Sequence, residues 1–549
     1  MRRILAVLLL TVMMMPAVPA VAAEQEEPAP VTVTFFRGEP GEQPAENNRI
    51  YQKIEEELGI RFRFEFLTSY LDEMLGMKIL HPSQLPDLID GSNSSDMLVD
   101  AGVLTDLMPY ISEETTPNLY RHLLVDDSIG QALSEDGKLY IIPNYGIFYN
   151  GEIKDQDGPA FFIQKQVIAW NNYTVPKTLN EYFDLIERFI RENPVNEDGI
   201  PYTGFAILCE SWKRFCLINP VQHLMGHAND GEVIVKAEDG EYRAETYIDK
   251  PYAKAYYRKL NEAYHHGLVS RETFDMNYEQ YIAALSGGTV LGMFDQTWDI
   301  REAARALQNA GKYGNTYLAI PLVYDPEYAD GAQIEEHYMN ATVLNRNRGA
   351  GITVNCRDPE RMVRLYDTLL SDDWQKLLQW GVEGEDYYIR DGRMLMTREQ
   401  YERRSDPAWR LANTADDLWV SLPKKQGHMD DGNAWDPGQQ PEIVSEMMND
   451  YDRAFLAGCG KTSWNDFFNP PGELPFYGEA WEIDKKEIDM EYQDFTEIQD
   501  RCLPEIIQCD PSEFDARWDA FVKEITPSAR VYSEFMETKI RKMAEKAAD

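Results

Sequence analysis

From Val31 to Leu104 the chain alternates between two hydrophobic periods, and this alternation restricts its fold more than any other feature. Val31-Thr-Val-Thr-Phe-Phe36 is rich in β-branched and aromatic residues and reads as a strand. Asn48 to Leu58 then sets Ile50, Tyr51, Ile54 and Leu58 on one helical face and stops at Gly59. Arg61 to Leu67 returns to period two, with Phe62, Phe64 and Phe66 on one side. Tyr70 to Leu80 reads as a helix, Leu85 to Asp90 as a strand, and Ser95 onward as a helix reaching Gly102-Val103-Leu104. The order β-α-β-α-β-α implies a mostly parallel sheet covered by helices, with loops at the carboxyl ends of its strands open to a ligand.

Further along, Gly137 to Pro143 and Val167 to Trp170 read as two more strands. Pro176 to Tyr182 opens a helix, with Thr178 as N-cap and Glu181 three residues on, a capping box. Helical periodicity dominates from there, as in Pro251 to His266, Pro359 to Trp380, Pro511 to Val522, and Glu442 to Ala457 with Gly458 as its cap. A chain of 549 residues made this way exceeds one compact core.

The first residues read as an export signal. Arg2 and Arg3 form a basic n-region, Ile4 to Met15 an apolar run too short to span a bilayer, and Ala20 to Ala23 a small-residue cleavage site. The expected signal peptide is 1–23, and the expected location is extracellular or periplasmic. The first cysteine is Cys209, so no lipid-bearing cysteine stands at the cleavage site. Six cysteines in an exported chain permit disulfides without requiring them, and none has the spacing of a zinc or redox motif. A formal charge of -41 opposes binding to phosphate backbones, so nucleic acid is not an expected partner.

Several stretches together resemble the family 1 extracellular solute-binding proteins of ABC importers, the maltose-binding-protein-like family, and its long Gram-positive branch in particular. Leu85-Pro-Asp-Leu-Ile-Asp90 leads into Ala101-Gly-Val-Leu-Thr-Asp-Leu-Met-Pro-Tyr110; Asp136-Gly-Lys-Leu-Tyr-Ile-Ile-Pro143 and Val175-Pro-Lys-Thr-Leu-Asn-Glu-Tyr182 follow. Ser286 to Trp298 is similar to the family's glycine-led strand near the hinge, and Pro359 to Asp367 with Trp380 to Tyr387 to a helix and turn of the long branch. Their order covers most of the mature chain. The resemblance implies an α/β, two-lobed, periplasmic-binding-protein-like fold with a hinge and an interlobe cleft. It implies an N-terminal lobe of 24–148 plus 295–348 and a C-terminal lobe of 149–294 plus 349–549 with a helical extension. It further implies capture of a carbohydrate, or another polar small molecule, by a monomer that delivers it to an ABC transporter permease without chemistry.

The ligand-contacting positions carried over are Arg37, Glu39, Ser92, Asn93, Asn144, Tyr145, Asp295 and Trp298. Planar polar groups suit sugar hydroxyls, and an aromatic plate suits the apolar face of the ring. Trp298 either walls the ligand or packs beneath the hinge. No cofactor or metal is expected. A calcium loop found in many relatives would place its first ligand at Pro194 and its bidentate acid at Phe205, neither of which offers a carboxylate. His223 and His227 lack the intervening acid of a metalloprotease, and Gly460-Lys461-Thr462 lacks the first glycine of a P-loop. The alternative is a secreted carbohydrate-active hydrolase whose acid pair is unidentified, since pairs such as Asp126-Asp127 or Asp372-Asp373 arise by chance among 94 carboxylates.

Overall fold

The computed structural model describes residues 30–125, 129–134, 136–144, 146–150, 158–227, 229–238, 241–329, 334, 348–469, 480 and 483–548. The proposed signal segment lies outside them. Eight strands build two four-stranded sheets: β1 (Val31–Arg37), β2 (Ile60–Phe66), β3 (Leu88–Asp90), β4 (Pro159–Gln164), β5 (Thr203–Ala206), β6 (Val290–Gln296), β7 (Tyr317–Ile320) and β8 (Ala350–Ile352). The first sheet runs β8-β3-β1-β2, parallel except for β8; the second runs β7-β4-β6-β5, with only β5 and β6 parallel.

Each sheet is buried on both faces, which follows from the alternation of adjacent apolar side chains along a strand. Phe35 and Leu88 enter one core and Phe36 and Ile89 the core opposite. In the second sheet Phe161 and Phe294 face one way, Phe162 and Met293 the other. The helix α1 (Arg49–Leu58) is capped by Asn48, whose Oδ1 accepts from the Ile50 and Tyr51 amides, and ends at Gly59 with φ 62°. The same Asn48 donates through Nδ2 to the Leu411 and Thr414 carbonyls, at 2.8 and 2.7 Å. That cap therefore binds a segment more than 350 residues away into the first lobe. After β2 come α2 (Leu71–Leu80) and α3 (Ser95–Asp100), as the periodicity implies.

The expected lobe boundaries are corrected by the sheets. Residues 317–320 pair with β4 in the second lobe, whereas 350–352 pair with β3 in the first. Val363, Tyr366, Trp374 and Leu418 then pack in the first-lobe core. Among the described residues, the first lobe thus takes those within 30–150 and 348–447, and the second those within 159–329 and 449–548. Helical periodicity identifies a buried face but not which sheet covers it. Three further expectations change. Val167 to Trp170 belongs to a helix, Lys165–Trp170, because a short apolar run suits either element and the strand is the run before it. Gly137 to Pro143 makes one bridge, Ile141 to Gly351, in place of a strand. The run 442–457 divides at Met448, and Asn449 caps a separate helix, Asp450–Gly458.

Asn449 Oδ1 accepts from the Asp452 amide, and the Asp452 carboxylate takes a buried salt bridge from Lys165 at 2.6 Å, with Trp464 4.2 Å from the ammonium. This pair fixes the last crossing to the second lobe. A helical hairpin, Asp489–Gln508 and Phe514–Ala548, completes that lobe against the ribbon of Val233–Glu238 and Glu241–Thr246. Glu181 accepts from the Lys177 amide at 2.8 Å while Thr178 accepts from the Glu181 amide, so the expected capping box is shifted by one residue. All six cysteines are free thiols. Among the described residues no helix is long and apolar enough to cross a membrane.

The lobes touch at Lys486. The segment around it belongs to the second lobe, since Ile483 and Ile488 pack in that core and Glu487 pairs with Lys539 at 2.6 Å. Its ammonium reaches Asp100 at 2.7 Å and Asp96 at 3.0 Å on α3, as well as Asp484 at 3.3 Å. An exposed network of this kind contributes on the order of 1 kcal/mol and weakens with salt. Lys486→Glu replaces that bridge with a fourth carboxylate, so small-angle scattering at low ionic strength should show a larger radius of gyration than the parent, the difference fading as salt is added. Superimposable profiles would show that the bridge does not hold the lobes.

Candidate functional site

Two of the crossings between lobes lie beside strand ends. Ala350 pairs with Asp90, so the carboxyl end of β3 lies beside the point where the chain re-enters the first sheet. Pro159 pairs with Gln296, so the carboxyl end of β6 lies where the chain enters the second. Residues just beyond β1, β3 and β6 therefore gather at the seam between the lobes.

On the first-lobe side the residues are polar and interlocked. Arg37 ends β1 and pairs with Asp417. Gly38 donates to the Asp90 carbonyl at 2.8 Å, and a Cβ there would stand 2.8 Å from that same oxygen, which reserves the position for glycine. Glu39 accepts from Ser92 Oγ and from Arg348, both at 2.8 Å, and Arg348 Nε donates to Asn93 Oδ1 at 3.0 Å. Ser92 holds φ at 51°, a strained conformation for a residue with a side chain. Asp90 accepts from Ser421 Oγ at 2.6 Å and from the Ser92 amide at 2.8 Å; burial pushes its carboxyl up, and these bonds with Arg348 and Arg37 oppose that. Asn144 donates to the Val420 carbonyl.

Three buried polar atoms in this cluster have no hydrogen-bond partner among the described residues: Arg37 Nε, Asn144 Oδ1 and Trp419 Nε1. Such atoms are costly unless something bonds to them. Lys424 lies 3.9 Å above the Trp419 ring, and burial lowers its ammonium to about 8, against the opposing pull of Asp436.

The second-lobe side is aromatic. Trp298 stacks on Trp212, with ring centroids 5.9 Å apart and planes 19° from parallel. Both are exposed, by 40% and 60% respectively, so Trp298 is not the core residue that the second sequence reading allowed. Its Nε1 donates to Gln296 Oε1 at 2.9 Å. The Lys213 ammonium lies 4.0 Å from the Tyr278 ring, 4.5 Å from Trp212 and 5.2 Å from Trp298, and pairs with Asp299. Ser211, which launches Trp212, also holds a positive φ, 52°.

Asp295, expected to contact the ligand, turns inward instead. It is fully buried, accepting from Tyr281 Oη at 2.7 Å and from the Gln296 amide at 2.7 Å, and so props the platform from beneath. Burial first, and the Asp299 carboxylate second, push it up to about 7. Asp295 and Asp299 resemble an acid pair, but both lie under the rings away from solvent, where a glycosidic bond cannot reach them. Tyr145 lies outside the described residues. Sequence reasoning missed Trp212, Lys213, Arg348, Asp417, Trp419, Ser421 and Lys424; of these only Ser211-Trp-Lys-Arg214, an aromatic-cationic run shortly after β5, carries a local signal. His223 sits edge-on to Phe294, 5.2 Å between centroids, and Phe205 is buried in β5.

The raised carboxyl of Asp295 has a defined sign. Its folded form holds a proton more tightly than an unfolded chain with a value near 3.8, so its stabilising contribution is complete below that pH and is lost as pH rises toward about 7. Asp295→Asn imitates the protonated acid. Urea denaturation should therefore show the parent losing stability relative to the variant between those two pH values; parallel profiles would show that Asp295 titrates normally.

No family profile and no curated protein sequence matches the chain. Solved structures do. The Streptococcus pneumoniae ABC-transporter substrate-binding protein FusA, as an EF-hand mutant in complex with fructo-nystose, is 16% identical with a TM-score of 0.63, covering 94% of this chain and 99% of that one. An extracellular solute-binding protein from Bifidobacterium longum subsp. infantis is 14% identical with a TM-score of 0.61, covering 94% and 98%. The alginate-binding protein AlgQ2 without calcium ion is 15% identical with a TM-score of 0.59, covering 93% and 98%. The chain has the two-lobed α/β fold of these substrate-binding proteins.

Proposed function

We propose that this chain is an exported solute-binding protein that captures an oligosaccharide between its lobes and delivers it to an ABC transporter permease, acting as a monomer and without chemistry. The observation that carries the reading is the pairing of two chemistries at one seam. Stacked, exposed Trp212 and Trp298 offer a plate to the apolar face of a sugar ring. The strand-end cluster offers Glu39, Asn93 and Arg348, polar groups at least partly exposed that suit hydroxyls. The likeness to FusA, seen in complex with fructo-nystose, and to the alginate-binding protein AlgQ2 supports a carbohydrate over another polar solute.

In this mechanism the open and closed arrangements of the lobes exchange, and ligand shifts the population by binding the closed one more tightly. Binding energy is completed only when plate and polar cluster both touch the ligand, so closure reports occupancy to the permease. The export segment and the location outside the cytoplasm belong to the same reading.

A thermal-shift screen of oligosaccharides should find at least one that raises the melting temperature, because a ligand specific for the folded state stabilises it by mass action. Failure of every glycan, with a shift from a peptide or another solute, would replace the substrate class. With the glycan in hand, Trp298→Ala should weaken binding by about 2 kcal/mol or more by calorimetry, as central aromatic anchors do. Its melting point should change little, the indole being partly exposed. Undiminished affinity would remove Trp298 from the site.

A further inference from the structure

The proposed carbohydrate site carries its own counter-charges, and that limits the kind of sugar it accepts. Arg37 is paired with Asp417, Arg348 with Glu39, and Lys213 with Asp299. These three described cations thus each have a protein carboxylate within salt-bridge distance, and Lys424 lies on the Trp419 ring, with Asp436 as a favourable charge and Arg348 as an opposing one. Burial weakens the hold of Lys424 on its proton, so it is a poorer anchor for an anion than an exposed lysine. Asp90 adds another acid behind Arg37 and Arg348.

A uronate carboxylate is recognised by a guanidinium fork or an ammonium that it can take over. Here it would compete with Asp417, Glu39 or Asp299, and would leave the displaced carboxylate facing it at short range. The overall charge of -41 adds a long-range penalty on the approach of an anion. A hydroxymethyl group meets none of these costs. Glu39, held by Arg348 but partly exposed, still presents lone pairs to hydroxyls, and the tryptophan faces meet ring C–H groups.

Resting on the proposed function, we infer that the site takes an uncharged oligosaccharide and rejects its uronic-acid counterpart, the ion pairs Arg37–Asp417, Arg348–Glu39 and Lys213–Asp299 serving as the discriminating groups. Glu39 sets the preference most directly because Arg348 is the most exposed of the three cations, its side chain 34% accessible. Discrimination of this kind depends on a repulsive element as much as on an attractive one.

The test uses the full mature chain and matched glycans differing only at C6, alcohol against carboxylate, in the gluco, manno and galacto series, titrated calorimetrically at low and high ionic strength. The neutral member of the bound series should bind at least about tenfold more tightly than the acidic one. Its affinity should vary by less than about twofold with salt, since no ion pair to the ligand is made. Glu39→Gln should narrow the neutral-to-acidic ratio by at least about threefold, and Asp299→Asn should do so independently, which protects the test if one variant folds poorly. Equal or tighter binding of a uronate, or an unchanged ratio in both folded variants, overturns the inference and leaves the carbohydrate reading standing. Binding of neither member in any series overturns the carbohydrate reading, and this inference with it.

Discussion

Two backbone pairings, Asp90 against Ala350 and Pro159 against Gln296, determine where this chain can build a site. Each brings the carboxyl end of a strand to a point where the polypeptide passes from one sheet to the other. Loops at such ends are free of the ladder and open to side-chain chemistry, as in other open α/β sheets. Arg37, Asp90, Ser92 and Trp298 therefore reach the seam because of topology, while the partners of the first-lobe residues arrive from the return of the chain through Arg348, Asp417 and Ser421.

The polar half of the seam keeps charge out of water by balancing it. Arg37–Asp417 is nearly buried, and removing either member would strand the other, a change that costs roughly 3–5 kcal/mol in comparable pairs. Strain sits in the same loops: Ser92 and Ser211 both hold positive φ without being glycine, each at a cost of order 1–3 kcal/mol that the surrounding contacts must outweigh. Those contacts are visible at Ser92, whose hydroxyl is held by Glu39 and whose amide is held by Asp90. Rigid placement of that kind limits the entropy lost when a ligand binds.

Much of the first lobe is legible in the sequence, because its signals are local. The alternation in β2, the face of α1 and the Asn48 and Gly59 ends depend on neighbours within a turn or two. The helix at Lys165–Trp170 was not legible, since Val167 and Ile168 are fully buried and a short buried run carries no period of its own. Lobe membership after Gln296 was lost for a different reason: it rests on pairings across hundreds of residues. At the site, the strand-end positions were recoverable from order and resemblance. The partners of those positions were not, since Asp417 lies 380 residues from Arg37 and no spacing rule joins them. Asp295 shows the opposite failure, a residue correctly placed at the strand end whose side chain turns inward to Tyr281.

The central claim is that one ligand is held by both faces of the seam at once. Hydrogen exchange with and without a saturating oligosaccharide tests it directly, because each face has its own backbone segments. The account predicts added protection in residues 90–93 and 417–421 of the first lobe and in 211–214 and 296–299 of the second, from the same ligand in the same sample. Protection confined to one lobe, or absent from both while the ligand is bound, would contradict it.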